Sequence, residues 1–198
     1  YGDPVKFYHT GFKILTSMKG AKPNEAHRIL AKMEQQGLIE GIVTQNIDNL
    51  HYQAGSKNIM EVHGNIRTGH CIECGKSYAF DEIESKVASG EIPPKCTCGG
   101  MIRPDVVMFG DSLPECFNDA WEQSARSELM LVVGSSLQVS PVNYLPKLAK
   151  KLVIINIGET MYDKSADVLC PEKASYALTE IYDRIRETKR NDGKRRAI

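Results

Sequence analysis

Cys71-Ile-Glu-Cys74 and Cys96-Thr-Cys98 gather four of the chain's six cysteines into two close pairs separated by 21 residues. No other feature constrains the fold as tightly. Tetrahedral zinc takes four thiolates, and two short knuckles joined by a loop suit that geometry. Four thiolates leave no coordination position for water, so the ion held by Cys71, Cys74, Cys96 and Cys98 is expected to be one structural zinc, not a catalytic one. The clustering is unlike a disulfide framework. With no basic start and apolar core over Tyr1 to His9, it reads as metal ligation in a reducing compartment, and a cytoplasmic location is the expectation.

Lys plus Arg equals Asp plus Glu at 25 each, so the fold is no electrostatic trap and no direct nucleic-acid partner is expected. The one basic stretch, with Lys189, Arg190, Lys194, Arg195 and Arg196, reads as a frayed, solvated tail. No apolar run approaches the roughly 20 residues of a membrane span, and no membrane partner is expected.

Elsewhere helix and strand signals alternate. Pro23-Asn24-Glu25 opens a helix with Ile29, Leu30 and Met33 at helical spacing, and Gly37 stops it. Ile42-Val43 precedes a polar turn. Leu129 to Val133 and Leu152 to Ile157 are continuous apolar runs closed by Gly134 and Gly158, as for strands buried on both faces. Leu145 to Lys150 reads as part of a short helix, and Ala174 to Arg190 as an amphipathic one with Leu178, Ile181 and Ile185 on one stripe. The expected fold is α/β: a Rossmann-like parallel sheet with helices on both faces, plus a small inserted zinc-binding module. Boundaries follow: 1–22 as a helical remnant of a small domain, 23–66 and 101–198 as the Rossmann-like domain, and 67–100 as the zinc module.

Ligands in such sheets sit beyond the carboxyl ends of the strands. The first polar turn there, Thr44-Gln45-Asn46-Ile47-Asp48-Asn49-Leu50-His51, could bind ribose hydroxyls or a carboxamide. On chemistry alone it could equally satisfy its own backbone. Val106-Val107-Met108-Phe109 could likewise be an ordinary core strand.

These segments, with Ala54-Gly55-Ser56 and Glu61-Val62-His63-Gly64-Asn65, resemble the sirtuin family. Arg103-Pro104-Asp105-Val106-Val107-Met108-Phe109-Gly110-Asp111 is similar to its substrate-binding strand. Gly134-Ser135-Ser136-Leu137-Gln138-Val139-Ser140-Pro141 and Asn156-Ile157-Gly158 resemble its later cofactor segments. The matches run in order from Ala21 to about Ile185.

The resemblance implies an NAD-dependent protein lysine deacylase. Its substrates are acyl-lysine-containing proteins or peptides, and it releases nicotinamide and an O-acyl-ADP-ribose. Residue by residue, it implies that His63 is the general base on a ribose hydroxyl, a role suited to imidazole. Asn46 orders ribose and water, Asp48 with the Ile47 backbone holds the nicotinamide carboxamide, and Gln45 touches the ribose. Gly134, Ser135 and Ser136 meet phosphate and ribose; Asn156, with Ile157 and Gly158, binds the adenosine ribose; Ala174 lies near the adenine. Val107, Phe109 and Gly110 contact substrate, whose backbone pairs as an added strand flanked by Val139.

Sirtuins also carry a Gly-Ala-Gly-Ile-Ser type segment and an Asp-Phe-Arg motif near the N-terminus, and neither occurs in this sequence. The expectation is that Tyr1 lies inside the helical part of the small domain and that the chain binds NAD poorly. Two other readings follow: a sirtuin-like ADP-ribosyltransferase, which His63 argues against, and an inactive acyl-lysine or ADP-ribose binding module.

Overall fold

The computed structural model describes residues 3–195, with side-chain environments as far as residue 191. Eight strands occur among them: β1 (Ile42–Thr44), β2 (Ile59–Glu61), β3 (Gly64–Cys71), β4 (Ser77–Ala79), β5 (Ile102–Val106), β6 (Met130–Val133), β7 (Leu152–Ile155) and β8 (Val168–Cys170). The α-helices are α1 (Pro4–Lys6), α2 (Phe12–Ser17), α3 (Glu25–Gln35), α4 (Leu50–Gln53), α5 (Phe80–Ala88), α6 (Cys116–Arg126) and α7 (Ala174–Arg195). No helix among the described residues is long and apolar enough to cross a membrane.

The chain forms two compact units. The first takes residues 3–22, Val43–Leu50 and Glu61–Cys116; the second takes Pro23–Ile42, His51–Met60 and the chain from Phe117 onward.

In the first unit, residues 4–20 are helical throughout. Asp3 caps the run by accepting the Lys6 N–H at 3.1 Å, and Pro4 fills a position where no N–H is needed. Tyr8, Phe12 and Leu15, spaced four and then three apart, form its buried stripe. They share one core with Ile66, Cys71, Tyr78, Phe80, Ile83, Cys96 and Ile102. Phe12 stacks on Phe80 with ring centroids 5.2 Å apart, and the Tyr8 hydroxyl donates to the Ile102 carbonyl at 2.5 Å. The sheet beneath is antiparallel, ordered β4-β3-β5. Its register pairs Gly69 with Tyr78 on one side and Cys71 with Ile102 on the other. A register shift between Gly64 and Gly69 interrupts the alternation, so Ile66, Gly69 and Cys71 are all buried.

In the second unit, β6-β7-β8 is a parallel sheet, with Val132 opposite Ile154 and Ile154 opposite Leu169. The central strand β7 buries Leu152, Ile154 and Ile155. Strand β6 does not match the expectation of burial on both faces: only Val132 is buried and Leu129 is half exposed. Among the described residues its pairing is to β7, so it lies at a sheet edge. Helices α3 and α7 pack together over Ile42 and Ile155, burying Ile29, Leu30, Met33, Leu178 and Tyr182. Asn24 caps α3 as read from the sequence, accepting the His27 N–H at 3.2 Å.

Two further expectations change. Residues 142–147 form a 3-10 turn rather than an α-helix reaching Lys150, because Pro146 inside it has no N–H to donate. The basic tail is not frayed over its described part. Helix α7 continues to Arg195, helped by an Asp183–Arg186 pair one turn apart; Arg196 lies outside the described residues.

Candidate functional site

Cys71 ends β3 and Cys74 follows it, while Cys96 and Cys98 precede β5, so the four cysteines flank neighbouring strands of the first unit's sheet. The four cysteine sulfurs all lie within 4.8 Å of one another. Cys71 Sγ is 3.5 Å from Cys98 Sγ, and Cys74 Sγ is 3.7 Å from Cys96 Sγ. Tetrahedral coordination at a Zn–S distance of about 2.3 Å places sulfurs ~3.8 Å apart, close to the two separations of 3.5 and 3.7 Å, so the set fits zinc. A disulfide would need about 2.05 Å, and all four thiols are free. Cys71 and Cys96 are buried while Cys74 and Cys98 face solvent, so one thiol of each pair anchors the site in the core. Both knuckles close through their own backbones: Gly75 N–H donates to Cys71 at 3.0 Å, and Gly99 N–H to Cys96 at 2.9 Å. The Cys98 backbone N–H, then the Tyr78 hydroxyl at 3.0 Å, hold the Cys96 thiol down to about 5. A thiolate there is the ligand form.

A cavity of about 310 Å³ lies in the same unit. Gln45, Asn46, Ile47 and Asp48 line it from the turn after β1, His63 from the turn after β2, and Val106 and Val107 from the end of β5. All of these except Val106 are site residues expected from the sequence. The sequence reading missed Met18, which also lines the cavity from the end of the helical run and carries no motif signal.

Local hydrogen bonds fix the polar turn. Asn46 N–H donates to Thr44 Oγ1 at 3.1 Å, and Leu50 N–H to Asp48 Oδ1 at 3.0 Å. Ile66 N–H reaches the Ile47 carbonyl at 3.1 Å. The turn bonds its own backbone and still leaves Asn46 exposed, so internal satisfaction does not exclude the ligand-binding reading. His63 Nδ1 lies 3.2 Å from the Gln45 carbonyl. A carbonyl only accepts, so Nδ1 carries the proton and the lone pair is on Nε2. His63 is thus assigned the tautomer of a proton acceptor.

The segment after β5 is not a core strand. The strand stops at Val106, Val107 N–H donates to the His63 carbonyl at 2.9 Å, and Phe109 is fully exposed. Asp111 folds the chain back, accepting the Met108 N–H at 2.8 Å and pairing with the largely buried Arg103. Gly110 sits in that bend with φ +92°. The Val107 N–H is consequently occupied within the chain, leaving less backbone for an added strand than the sequence suggested.

The other candidate residues belong to the second unit and gather at the carboxyl edge of its parallel sheet. Gly134, just past β6, donates to the Ile155 carbonyl at 2.9 Å, which sets Ser135 and Ser136 beside the turn that follows β7. Ser135 Oγ accepts the Leu137 N–H at 3.2 Å, and Ser136 is exposed. In the β7 turn, Asn156 Nδ2 donates to the Gly158 carbonyl at 2.7 Å and Ile157 is exposed. Ala174 opens α7 after β8. Val139 is exposed, its carbonyl accepting the Asn143 N–H at 3.0 Å.

The Sir2 family model matches residues 1–141. The chain belongs to the Sir2 family. An NAD-dependent protein deacetylase 2 of Caldanaerobacter subterraneus subsp. tengcongensis is 55% identical to this Sir2-family chain over 187 residues, 94% of the chain and 75% of the relative. A solved Sir2 structure with p53 peptide and NAD+ matches with TM-score 0.87 at 40% identity, covering 91% of this chain and 78% of that one. Another, with the inhibitor EX-527, 2'-O-acetyl-ADP-ribose and deacetylated p53 peptide, matches with TM-score 0.85 at 39% identity over 91% and 80%. The Rossmann-like α/β fold expected from the sequence is the fold of these Sir2 neighbours.

Proposed function

We propose that this Sir2-family chain is an NAD-dependent protein lysine deacetylase that releases nicotinamide and an O-acyl-ADP-ribose. The observation that carries this is one cavity lined by both His63 and the Gln45–Asp48 turn, in a chain 55% identical to a deacetylase of that kind. NAD, when bound, supplies the ribose carbon that accepts the acyl oxygen as nicotinamide leaves.

The chain's own residues do the rest. His63 takes a ribose hydroxyl proton on Nε2, while the Gln45 carbonyl holds Nδ1–H and so fixes the ring. Asp48 and the Ile47 backbone receive the nicotinamide carboxamide, Asn46 orders ribose and water, and Gln45 touches the ribose. Gly134, Ser135 and Ser136 bind phosphate and ribose, Asn156 to Gly158 the adenosine ribose, and Ala174 borders the adenine. The sheet edge that assembles them is where α/β folds bind ligands. Val107, Phe109, Gly110 and Val139 meet the acyl-lysine peptide. Zinc on Cys71, Cys74, Cys96 and Cys98 organises the sheet whose strand β3 begins beside His63. A cytoplasmic location is part of the same reading, supported by thiols kept for metal.

Mass spectrometry of an acetyl-lysine peptide incubated with the protein tests this. Acetyl loss is expected only with NAD, and His63→Ala should lower turnover by about 10²-fold or more while folding normally. Near-normal turnover by His63→Ala would remove it from the base role. ADP-ribose appearing on protein instead of on the acyl group would make the chain a transferase.

A further inference from the structure

Three polar side chains of the first unit lie outside the cavity yet join the segments that build it. Arg67, on β3, donates from one guanidinium nitrogen to Asn49 Oδ1 at 2.5 Å and to Glu61 Oε1 at 2.7 Å, and from another to Glu61 Oε2. Glu61 closes β2 two residues before His63. Asn49 follows Asp48 directly. A single planar group thus spans both cavity-lining turns, with bidentate geometry that a lysine could not reproduce.

Asn49 adds the second observation. Its φ is +68°, the left-handed region, which asparagine tolerates better than most side chains but adopts only where its surroundings favour it. That conformation turns the chain so that the Leu50 N–H meets Asp48 Oδ1 at 3.0 Å. The left-handed turn at Asn49 is therefore what lets the Leu50 N–H orient the Asp48 carboxylate, and Arg67 is what holds the Asn49 side chain. Outliers held by their surroundings cluster where geometry serves function.

We infer that Arg67 is a positioning residue: through Asn49 and Glu61 it locks the Asn46–Asp48 turn in register with His63. This rests on the site reading above. Sequence alone held no hint of it, because the three partners are separated by 12 and 6 positions and belong to a turn and two different strands.

Removing Arg67 alone would leave Glu61 unpaired, so the test uses the uncharged double variant Glu61→Gln with Arg67→Met, and separately Asn49→Gly. The glycine keeps the left-handed backbone accessible and removes only the Arg67 contact. Hydrogen exchange is read at residues 46–50 and at the zinc sheet, alongside kcat and KM for NAD and for an acetyl-lysine peptide. The expected result is at least tenfold faster exchange at the Leu50 amide in both variants, unchanged exchange at Cys71 and Ile102, and kcat reduced about tenfold. Arg67→Lys should restore the ion pair with Glu61 but not the Leu50 protection.

Unchanged Leu50 exchange overturns the inference whether or not the protein turns over. So does faster exchange with kcat and both KM values intact, which would make the clamp structural only. If His63→Ala is as active as the parent, the site reading fails instead, and the exchange measurement still decides whether Arg67 holds the turn.

Discussion

Among the described residues, the first unit's aromatic core cluster has ten buried side chains, two of which, Cys71 and Cys96, belong to the cysteine cluster. In the second unit the core under α3 and α7 is made of alanine, isoleucine, leucine, methionine and tyrosine, with Cys170 only at its border. Two of the four cysteine ligands of one unit are thus part of its hydrophobic core, whereas the core under α3 and α7 contains no such ligand. Structure in the first unit is therefore linked to an ion, and the carboxyl-edge turns of the second are not.

Zinc removal should break the comparison open with the largest effect. Thiolate sites contribute about 10–16 kcal/mol of apparent binding energy, comparable to a whole domain's stability of roughly 5–15 kcal/mol. On chelation, amide protection along β3 and β5 is expected to disappear while that along β7 and α7 persists. Activity should vanish with it, since β3 starts next to His63. Verified zinc-free protein with β3 and β5 still protected would show that Tyr8, Phe12 and their neighbours suffice to hold the sheet.

Gly64→Ala comes next. At φ +77° a Cβ there would lie 2.0 Å from the Asp105 carbonyl oxygen, which is backbone and cannot swing aside. The β3–β5 pairing must separate locally, a loss expected to exceed ~4 kcal/mol in chemical denaturation. A loss below about 1 kcal/mol would mean that Gly64 does not face Val106 as the register has it.

The second unit should lose less, and without touching the metal. Leu178 is fully buried between α7, α3 and the sheet, so Leu178→Ala is expected to cost ~2–5 kcal/mol with zinc stoichiometry unchanged. Zinc loss in this variant would show that the units do not stand independently.

What the sequence made legible follows the same division. The cysteine pairs, the cap at Asn24 and the apolar runs of β6 and β7 are local signals, and the strands formed within those runs, although β7 stops at Ile155 and leaves Ile157 exposed. The polar turn and His63 were legible as residues, and the structure shows both on one cavity. What stayed hidden is non-local. Met18 reaches that cavity from a helix end, Arg103 meets Asp111 across a bend, and Arg67 meets Asn49 across two turns. Strand β6 looked doubly buried because an apolar run records composition, not the number of strands beside it.

The smallest effect sharpens the contrast furthest. Gly37 ends α3 with φ +66°, its N–H donating to Glu34 at 2.9 Å and the Leu38 N–H to Met33 at 2.8 Å, the paired bonds of a left-handed helix stop. No atom lies within 4 Å of the position a Cβ would take. Gly37→Ala therefore meets only the conformational cost, about 1–2 kcal/mol, and Gly37→Asn should recover part of it because asparagine tolerates this region. At Gly64 the obstacle is a carbonyl oxygen, so Gly64→Asn should be no better than Gly64→Ala. Urea midpoints of the four variants separate the cases. Asparagine rescue at both positions would mean that Gly64 is there for its backbone angle rather than for the close approach of β5.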